Sequence, residues 1–399
     1  LFCIFLGVPS EARLYNHQDL PVGERSWGMG FASTALDGDT GLMFYNPAGL
    51  ADDPTAQFSA SLTSYTRVDT RTGRYVSLFK SAADNVSRGG YLVVPSMVGG
   101  HLRSKDLVWG GAIFVPNSFE NSGNVEFGSS NLASFQSRAD QTWIGVFGAT
   151  RWAGVPVGVS VFYVSQSLFE SFAFLYRGAL SRIEFQDRKF NANGLSVLLG
   201  AQKEFSQNWR WGLSLRLPVW HLGGSASANN VDSGSASSTE SSELKSLRVP
   251  VPLRLSAGLS YRPRPTMTWA LDLHYYGDVL GRIASGSDPY FDIRAYGIPN
   301  INLGFDSKLT ESTGIRLGWF TNLSAALELP KVISGIHDKV HMFGGTLALY
   351  FEKTTGTISI GGYAMGGQGS STAVNPDSKG LTPRSNYIYG FMVGSSFKF

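Results

Sequence analysis

Along most of this chain apolar and polar residues alternate with period two, as strands with one greasy and one polar face do. The clearest case is "NYIYGFMVGSSFKF", where Tyr387, Tyr389, Phe391, Val393, Phe397 and Phe399 share one face and Gly390, Gly394, Ser396 and Lys398 the other. In "NWRWGLSLRLPVW", Trp209, Trp211, Leu213, Leu215 and Leu217 alternate with Arg210, Gly212, Ser214 and Arg216. "PLRLSAGLSYR" sets Leu253, Leu255, Ala257, Leu259 and Tyr261 against Arg254, Ser256, Gly258, Ser260 and Arg262. "TWALDLHYY" sets Trp269, Leu271, Leu273 and Tyr275 against Asp272 and His274. The pattern predicts about fourteen strands, at roughly 57–67, 91–103, 107–116, 139–152, 156–171, 188–205, 208–220, 248–263, 266–280, 298–308, 313–325, 338–352, 356–366 and 386–399.

The connections alternate too. Strands two and three, four and five, and each later pair to twelve and thirteen are joined by tight turns such as "SKD", "SQN" and "RPRP". The connections between those pairs are long and polar, among them Gly223 to Glu243 and Gly366 to Lys379. The Ser/Gly/Asn-rich composition of the first reads as a flexible loop. Short turns at one end and long loops at the other, with an apolar outer face and a wet inner one, describe an all-β transmembrane antiparallel barrel. An even strand count puts both barrel termini at the short-turn, periplasmic end. The closing aromatic, Phe399, resembles the terminal signal read by the barrel-assembly machinery.

Composition agrees with a membrane barrel. The 399 residues are 43% hydrophobic, 13% aromatic and only 16% charged, with 47 glycines, against roughly 25% charged for soluble domains. No apolar run reaches the roughly 18 residues of a transmembrane helix. The net charge of +3 is scattered, which argues against a nucleic-acid surface. "LFCIFLGVPSEA" reads as the end of a secretory signal, with Leu1 to Val8 apolar and Ser10-Glu11-Ala12 a cleavage site. The sole cysteine, Cys3, lies in it, with bulky Phe2 disfavouring lipid attachment.

Enzymatic chemistry is not legible. The chain lacks a Gly-x-Ser-x-Gly elbow, a P-loop, a His-Glu-x-x-His motif and paired cysteines, so neither catalytic residue nor cofactor is expected. His337 and His341 are four apart, but in a strand that spacing is about 13 Å, too far to share a metal. Arg216, Arg254 and Arg316 fall on inner faces, with Asp272 on a neighbouring one. They read either as charge pairs filling a wide lumen or as a site for the carboxylate of an amphiphile, which guanidinium binds bidentately.

Before the first strand stands "SWGMGFASTALDGDTGLMFYNPAGLADD", with the acidic pairs Asp37/Asp39 and Asp52/Asp53 around the core Leu42 to Leu50. "ALDGDTGLMFYNPAGLADDP" resembles the N-terminal plug of the FadL/TodX family, outer-membrane channels for long-chain fatty acids and aromatic hydrocarbons. "VPSMVGGHLRSKDLVWGGAIFVPNSF" resembles the family's second and third strands. "LRVPVPLRLSAGLSYRPRPTMTWALDLHYY" and "NLGFDSKLTESTGIRLGWF" are similar to later hairpins. The resemblance implies a barrel of about fourteen strands over 57–399, an N-terminal hatch over 13–56 and a residual signal over 1–12. It implies a bacterial outer-membrane location, with lipid and lipopolysaccharide around the wall and no nucleic-acid partner. It implies passive uptake of hydrophobic compounds, long-chain fatty acids first, with lateral release through a gap at an inward kink in the third strand.

Residue by residue, Asn46, Pro47, Ala48 and Gly49 would be the hatch motif, touching the kinked strand. Gly110 and Gly111 are the candidates for the kink, the alternative being a packing notch. Phe31, Leu42, Met43, Phe44 and Tyr45 would line the ligand pocket. The chain lacks the family's long amphipathic helical insertions, which leaves the outer capture site open. A second reading is a structural or shuttle barrel of a secretion system, because such barrels share the Asn-Pro-Ala-Gly core and bind a protein partner.

Overall fold

The computed structural model describes residues 15–19, 22–72, 75–76, 82–83, 86–127, 131–176, 182–232, 238–245, 251–282, 292–326, 338–372 and 381–399. The signal-like residues 1–12, with Cys3, and His337 lie outside these. No described helix is long and apolar enough to cross a membrane.

The wall is a closed antiparallel barrel of fourteen strands. They are β1 (Gln57–Thr72), β2 (Val86–Ser104), β3 (Leu107–Phe127), β4 (Asn131–Trp152), β5 (Val155–Tyr176) and β6 (Arg182–Ser206). Next come β7 (Trp209–Arg216 and Trp220–Asp232) and β8 (Ser238–Lys245 and Arg254–Arg264), each interrupted once, at Leu217-Pro218-Val219 and ahead of Arg254. The circuit continues with β9 (Met267–Tyr276), β10 (Ile298–Lys308), β11 (Thr313–Asn322), β12 (Asp338–Lys353), β13 (Gly356–Thr372) and β14 (Leu381–Lys398). β14 pairs back onto β1, with Gln57 opposite Lys398, and closes the cylinder.

Each strand predicted from alternation is present. Several strands run further than predicted toward the long-loop end, β3 to Phe127 and β6 from Arg182, while β9 stops at Tyr276 and β11 at Asn322. Beyond the lipid an outward residue need not be apolar, so the period-two signal fades while the hydrogen-bonded ladder continues. For the same reason the Ser/Gly/Asn-rich connection is not simply a loop. Ser225–Asp232 and Ser238–Lys245 pair as a hairpin extending β7 and β8 above the wall.

Outward positions carry large exposed apolar side chains, among them Leu62, Ile113, Val146, Leu213, Leu273 and Leu347. Inward positions are buried and polar or small, including Ser59, Ser160, Gln202, Ser214, Asn302 and Arg316. This inside-out arrangement is the one lipid requires of a membrane barrel.

The inward side chains are buried because residues 15–19 and 22–56 pack against them. Of this segment, Trp27, Met29, Ala32, Leu36, Leu42 and Leu50 have no exposed surface. It enters near the long-loop end, where Asn16 bridges to Ser324. It leaves at the short-turn end, where Ala56 accepts a hydrogen bond from the Phe399 N–H. Its described residues include one helical turn, Leu42–Tyr45, and a 3-10 turn, Pro47–Leu50.

Candidate functional site

Two buried carboxylates, one of the segment and one of the wall, organise its path. Asp39 Oδ2 accepts from the N–H groups of Arg25 and Ser26 and from Ser26 Oγ, while its Oδ1 accepts from the Gly41 N–H. Asp272 of β9 accepts at Oδ2 from the N–H groups of Ser33 and Thr34 and from Thr34 Oγ1, at 2.7–2.8 Å. Carboxylates that each collect several donors satisfy loop N–H groups that no strand can pair.

The Asn46-Pro47-Ala48-Gly49 core is a compact bracket. Asn46 caps the 3-10 turn by accepting from the Ala48 N–H at 3.2 Å, and Pro47 takes the first position, where no N–H is needed. The Asn46 amide donates to the carbonyls of Thr34, at 2.6 Å, and of Ala201 on β6, at 3.3 Å. A Cβ on Gly158 of β5 would overlap Pro47, and one on Gly200 of β6 would overlap Asn46. The bracket thus rests on β5 and β6, with contacts to β4. Family resemblance implied contact with the third strand; the two inward glycines of β5 and β6 provide the closer seat.

Nor does the wall break at Gly110 and Gly111. Both are paired regularly on each side, Gly110 with His101 and Phe147, Gly111 with Gly100 and Val146. The irregularity comes a few residues on, where Val115 and Pro116 together oppose Thr142 in a bulge. On β2 an extra residue, Ser96, beside Pro95 shifts the register against β1. Among the described residues the β2–β3 ladder ends at Met97 and Phe114, although both strands continue beyond. Glycine weakens a strand, but proline removes a ladder donor outright.

Beside this break sits an aromatic box. The Phe44 ring lies 5.3 Å from Phe114 of β3, 5.4 Å from Trp143 of β4 and 6.2 Å from Phe162 of β5. Trp143 meets Phe162 edge-on at 5.4 Å. The Met43 carbonyl is fixed by Ser160 Oγ at 2.8 Å, which holds the helical turn against β5. On the other side of Phe44 stand two buried guanidinium groups, Arg216 of β7 at 5.9 Å and Arg254 of β8 at 5.8 Å from its centroid. Arg216 also lies over Trp143 at 5.2 Å.

These arginines share one carboxylate. Arg216 Nη1 donates to Asp19 Oδ2 at 3.1 Å, and Arg254 Nη1 is 3.7 Å from the same oxygen. Arg254 Nη2 donates to the Phe44 carbonyl at 3.0 Å. The Nε groups of Arg216 and Arg254 and the Trp143 indole nitrogen are buried without a protein partner. Nearby His17 is held neutral, its pKa lowered to about 4 by burial and by the Arg216 charge.

Of the residues named from sequence, the structure therefore unites Phe44, Arg216 and Arg254. Phe31 lies elsewhere, edge-on to Phe320 of β11 at 4.7 Å, with a left-handed backbone at φ 66°. The Tyr45 hydroxyl faces Val22, and Leu42 packs beneath Gly49. Arg316 belongs to a separate ionic knot. Its Nη1 donates to Glu24 at 2.6 Å and to Ser359 of β13 at 3.0 Å, and its guanidinium covers Tyr350 of β12 at 4.1 Å. His341 accepts from the Ser324 N–H. Sequence reasoning missed Asp19, Phe114, Trp143 and Phe162. All three aromatics fall at inward positions of alternating stretches, a signal that was available; Asp19 carried none.

No protein-family model and no curated protein matches the sequence. Solved structures do resemble the fold. The toluene transporter TodX of P. putida is 16% identical, with 95% of this chain and 98% of that chain covered at a TM-score of 0.69. A FadL homologue of Pseudomonas aeruginosa is 12% identical, covering 96% of this chain and 100% of that one at 0.73. The CymD monoaromatic hydrocarbon channel is 15% identical, covering 96% and 99% at 0.65. The chain is thus a closed antiparallel barrel of fourteen strands. Within that class, its fold is that of the FadL homologue and of TodX and CymD.

Proposed function

We propose that this chain is an outer-membrane passage through which hydrophobic compounds, long-chain fatty acids first among them, enter a Gram-negative cell without an energy source. The observation that carries this reading is the pair Arg216 and Arg254 beside the Phe44 box, next to the end of the β2–β3 ladder. An apolar tail gains by leaving water for an aromatic box. A carboxylate matches the unpartnered Nε donors, because guanidinium binds carboxylate in a planar fork. Residues 15–56 act as a hatch that denies water a continuous pore. Cargo leaves sideways where Pro95 and Pro116 interrupt the wall, straight into lipid.

A neutral monoaromatic cargo is a second reading. The box of rings around Phe44 favours it, Asp19 already offsets one arginine charge, and two of the similar structures are a toluene transporter and a monoaromatic hydrocarbon channel. Native mass spectrometry after mild detergent extraction separates the readings. Bound fatty acid supports the first and a retained aromatic the second. Recovery of only a stoichiometric protein partner would refute both and favour a secretion-system shuttle.

A further inference from the structure

A second arginine cluster lies at the short-turn mouth, apart from the Phe44 box. Its centre is Asp37, at the tip of the turn between Leu36 and Asp39. Arg210 of β7 donates from Nη1 to Asp37 Oδ2 at 2.5 Å, and Arg262 of β8 donates from Nη2 to Oδ1. Arg25 Nη1 lies 3.7 Å from Oδ1 and donates to the Asp37 carbonyl at 3.1 Å. Three guanidinium groups from three parts of the chain thus converge on one carboxylate. Two other acids offset them in part: Glu204 on Arg210, and Asp306 on Arg25 at 3.0 Å. Asp306 is itself shared with Arg316, at 3.5 Å.

Two further features set this cluster apart from an internal ion pair. It is open, since the side chains of Asp37 and Arg262 keep 30% and 32% of their exposure. And the carboxylate sits on a short turn with few backbone ties of its own. Before it, Ser260 and Gln202 anchor the carbonyls of Ala35 and Leu36; after it, Asp39 is fixed by four donors. Between them Gly38 has a left-handed φ of 70°, open space where a Cβ would stand, and one long hydrogen bond, 3.4 Å to the Gly49 carbonyl. The turn is held at the mouth chiefly by the Asp37 carboxylate.

We infer that Arg25, Arg210 and Arg262 form a carboxylate-binding site at the short-turn mouth, of which Asp37 is a resident occupant that an external carboxylate replaces. Exchange moves only the Asp37-Gly38 tip and leaves the anchors on either side in place. Convergent charge and donor geometry select a carboxylate, which would accept from Arg210 Nη1 and Arg262 Nη2 where Asp37 does now. Its source is either a small carboxylate in solution or the headgroup of an amphiphile passing the mouth. The site goes beyond the transport reading and does not depend on it.

The test uses full-length protein in detergent and the 13C NMR linewidth of 13C-formate at fixed ionic strength. Asp37→Ala empties the site, and its formate line should broaden at least threefold more than that of wild type. Formate at Arg216 and Arg254 contributes equally to both and subtracts out. Adding Arg262→Gln to Asp37→Ala should abolish the excess. If the alanine variant does not assemble, Asp37→Asn keeps the shape without the charge and takes its place. Laurate should compete with the formate and dodecanol should not. Competition at a tenfold lower concentration than acetate identifies an amphiphile as the source; equal concentrations identify a small free carboxylate. Broadening no greater than in wild type, or undiminished by Arg262→Gln, would overturn the site. A failure here with fatty acid still bound at the Phe44 box would refute the mouth site and leave the transport reading standing.

Discussion

The segment inside this barrel meets its wall in two different ways. Against β3, β4 and β5 the contact is made of rings, with Phe44 among Phe114, Trp143 and Phe162. Against β7 to β13 the ionic and hydrogen-bonded ties gather, through Asp37 with Arg210 and Arg262, Asp272 with Ser33 and Thr34, and Glu24 with Arg316, beside the ring contact of Phe31 with Phe320. Apolar contact is non-directional, and a greasy ligand can replace it ring for ring. A buried ion pair has no such substitute, because removing one partner strands the other charge. Under the proposed function, one side exchanges contacts with cargo and the other keeps the segment in the lumen while that happens.

The largest expected effect is on the ionic side. Glu24→Ala leaves Arg316 without its closest carboxylate inside the barrel, a loss of about 3–5 kcal/mol for a buried pair broken on one side. Planar-bilayer conductance should rise several-fold, and trypsin should gain access to Arg25. Conductance equal to wild type would mean that this knot does not retain the segment.

Phe44→Ala should be nearly as destabilising locally, about 3–5 kcal/mol for a large aromatic truncated in a packed site. Its signature differs, with ligand retention in native mass spectra falling and conductance staying within twofold of wild type. A large conductance rise would erase the contrast between the two sides. Arg254→Ala should weaken a carboxylate ligand at least tenfold while leaving a neutral hydrocarbon within twofold. Equal losses would make this arginine a structural member of the Asp19 cluster.

Smaller effects mark the short-turn end. Burial opposes ionisation of Asp37, but the Arg210, Arg262 and Arg25 charges outweigh it and hold the carboxyl well below its ordinary 3.8. A depressed carboxyl contributes fully above its unfolded value and loses that contribution only as pH falls through the folded one. Conductance should therefore stay flat from pH 7 to 4.5 and rise only under stronger acid; a rise near pH 5 would mean that a group other than Asp37 holds the segment. Asp52→Asn, which breaks an exposed pair with Arg151, should change stability to denaturant by less than about 1 kcal/mol.

How far the sequence carried this account follows the same division. The wall was legible wherever lipid dictates one face, so all fourteen strands could be placed, as could the inward position of Arg216, Arg254 and Arg316. The strand tops above the lipid were not, since nothing there requires an apolar face. The sequence offers Gly110 and Gly111 as candidates for a kink or a packing notch, whereas the register shifts at Val115 and Pro116, because a missing N–H outweighs a missing side chain. The ties of the segment were illegible, because pairs such as Glu24 with Arg316 join residues 292 positions apart. Alternation shows which arginines point inward and not which carboxylate they meet.

Under the proposed function, cargo crosses the wall where the β2–β3 ladder stops, beside the Phe44 box. Cysteines at Ser96 and Val115, placed just beyond the last pair of Met97 with Phe114, would staple the two strands in a chain whose Cys3 is serine. Uptake of labelled fatty acid should be lost under oxidation and recovered on reduction, with cargo still bound in the stapled protein. Undiminished uptake through a fully formed staple would contradict the account.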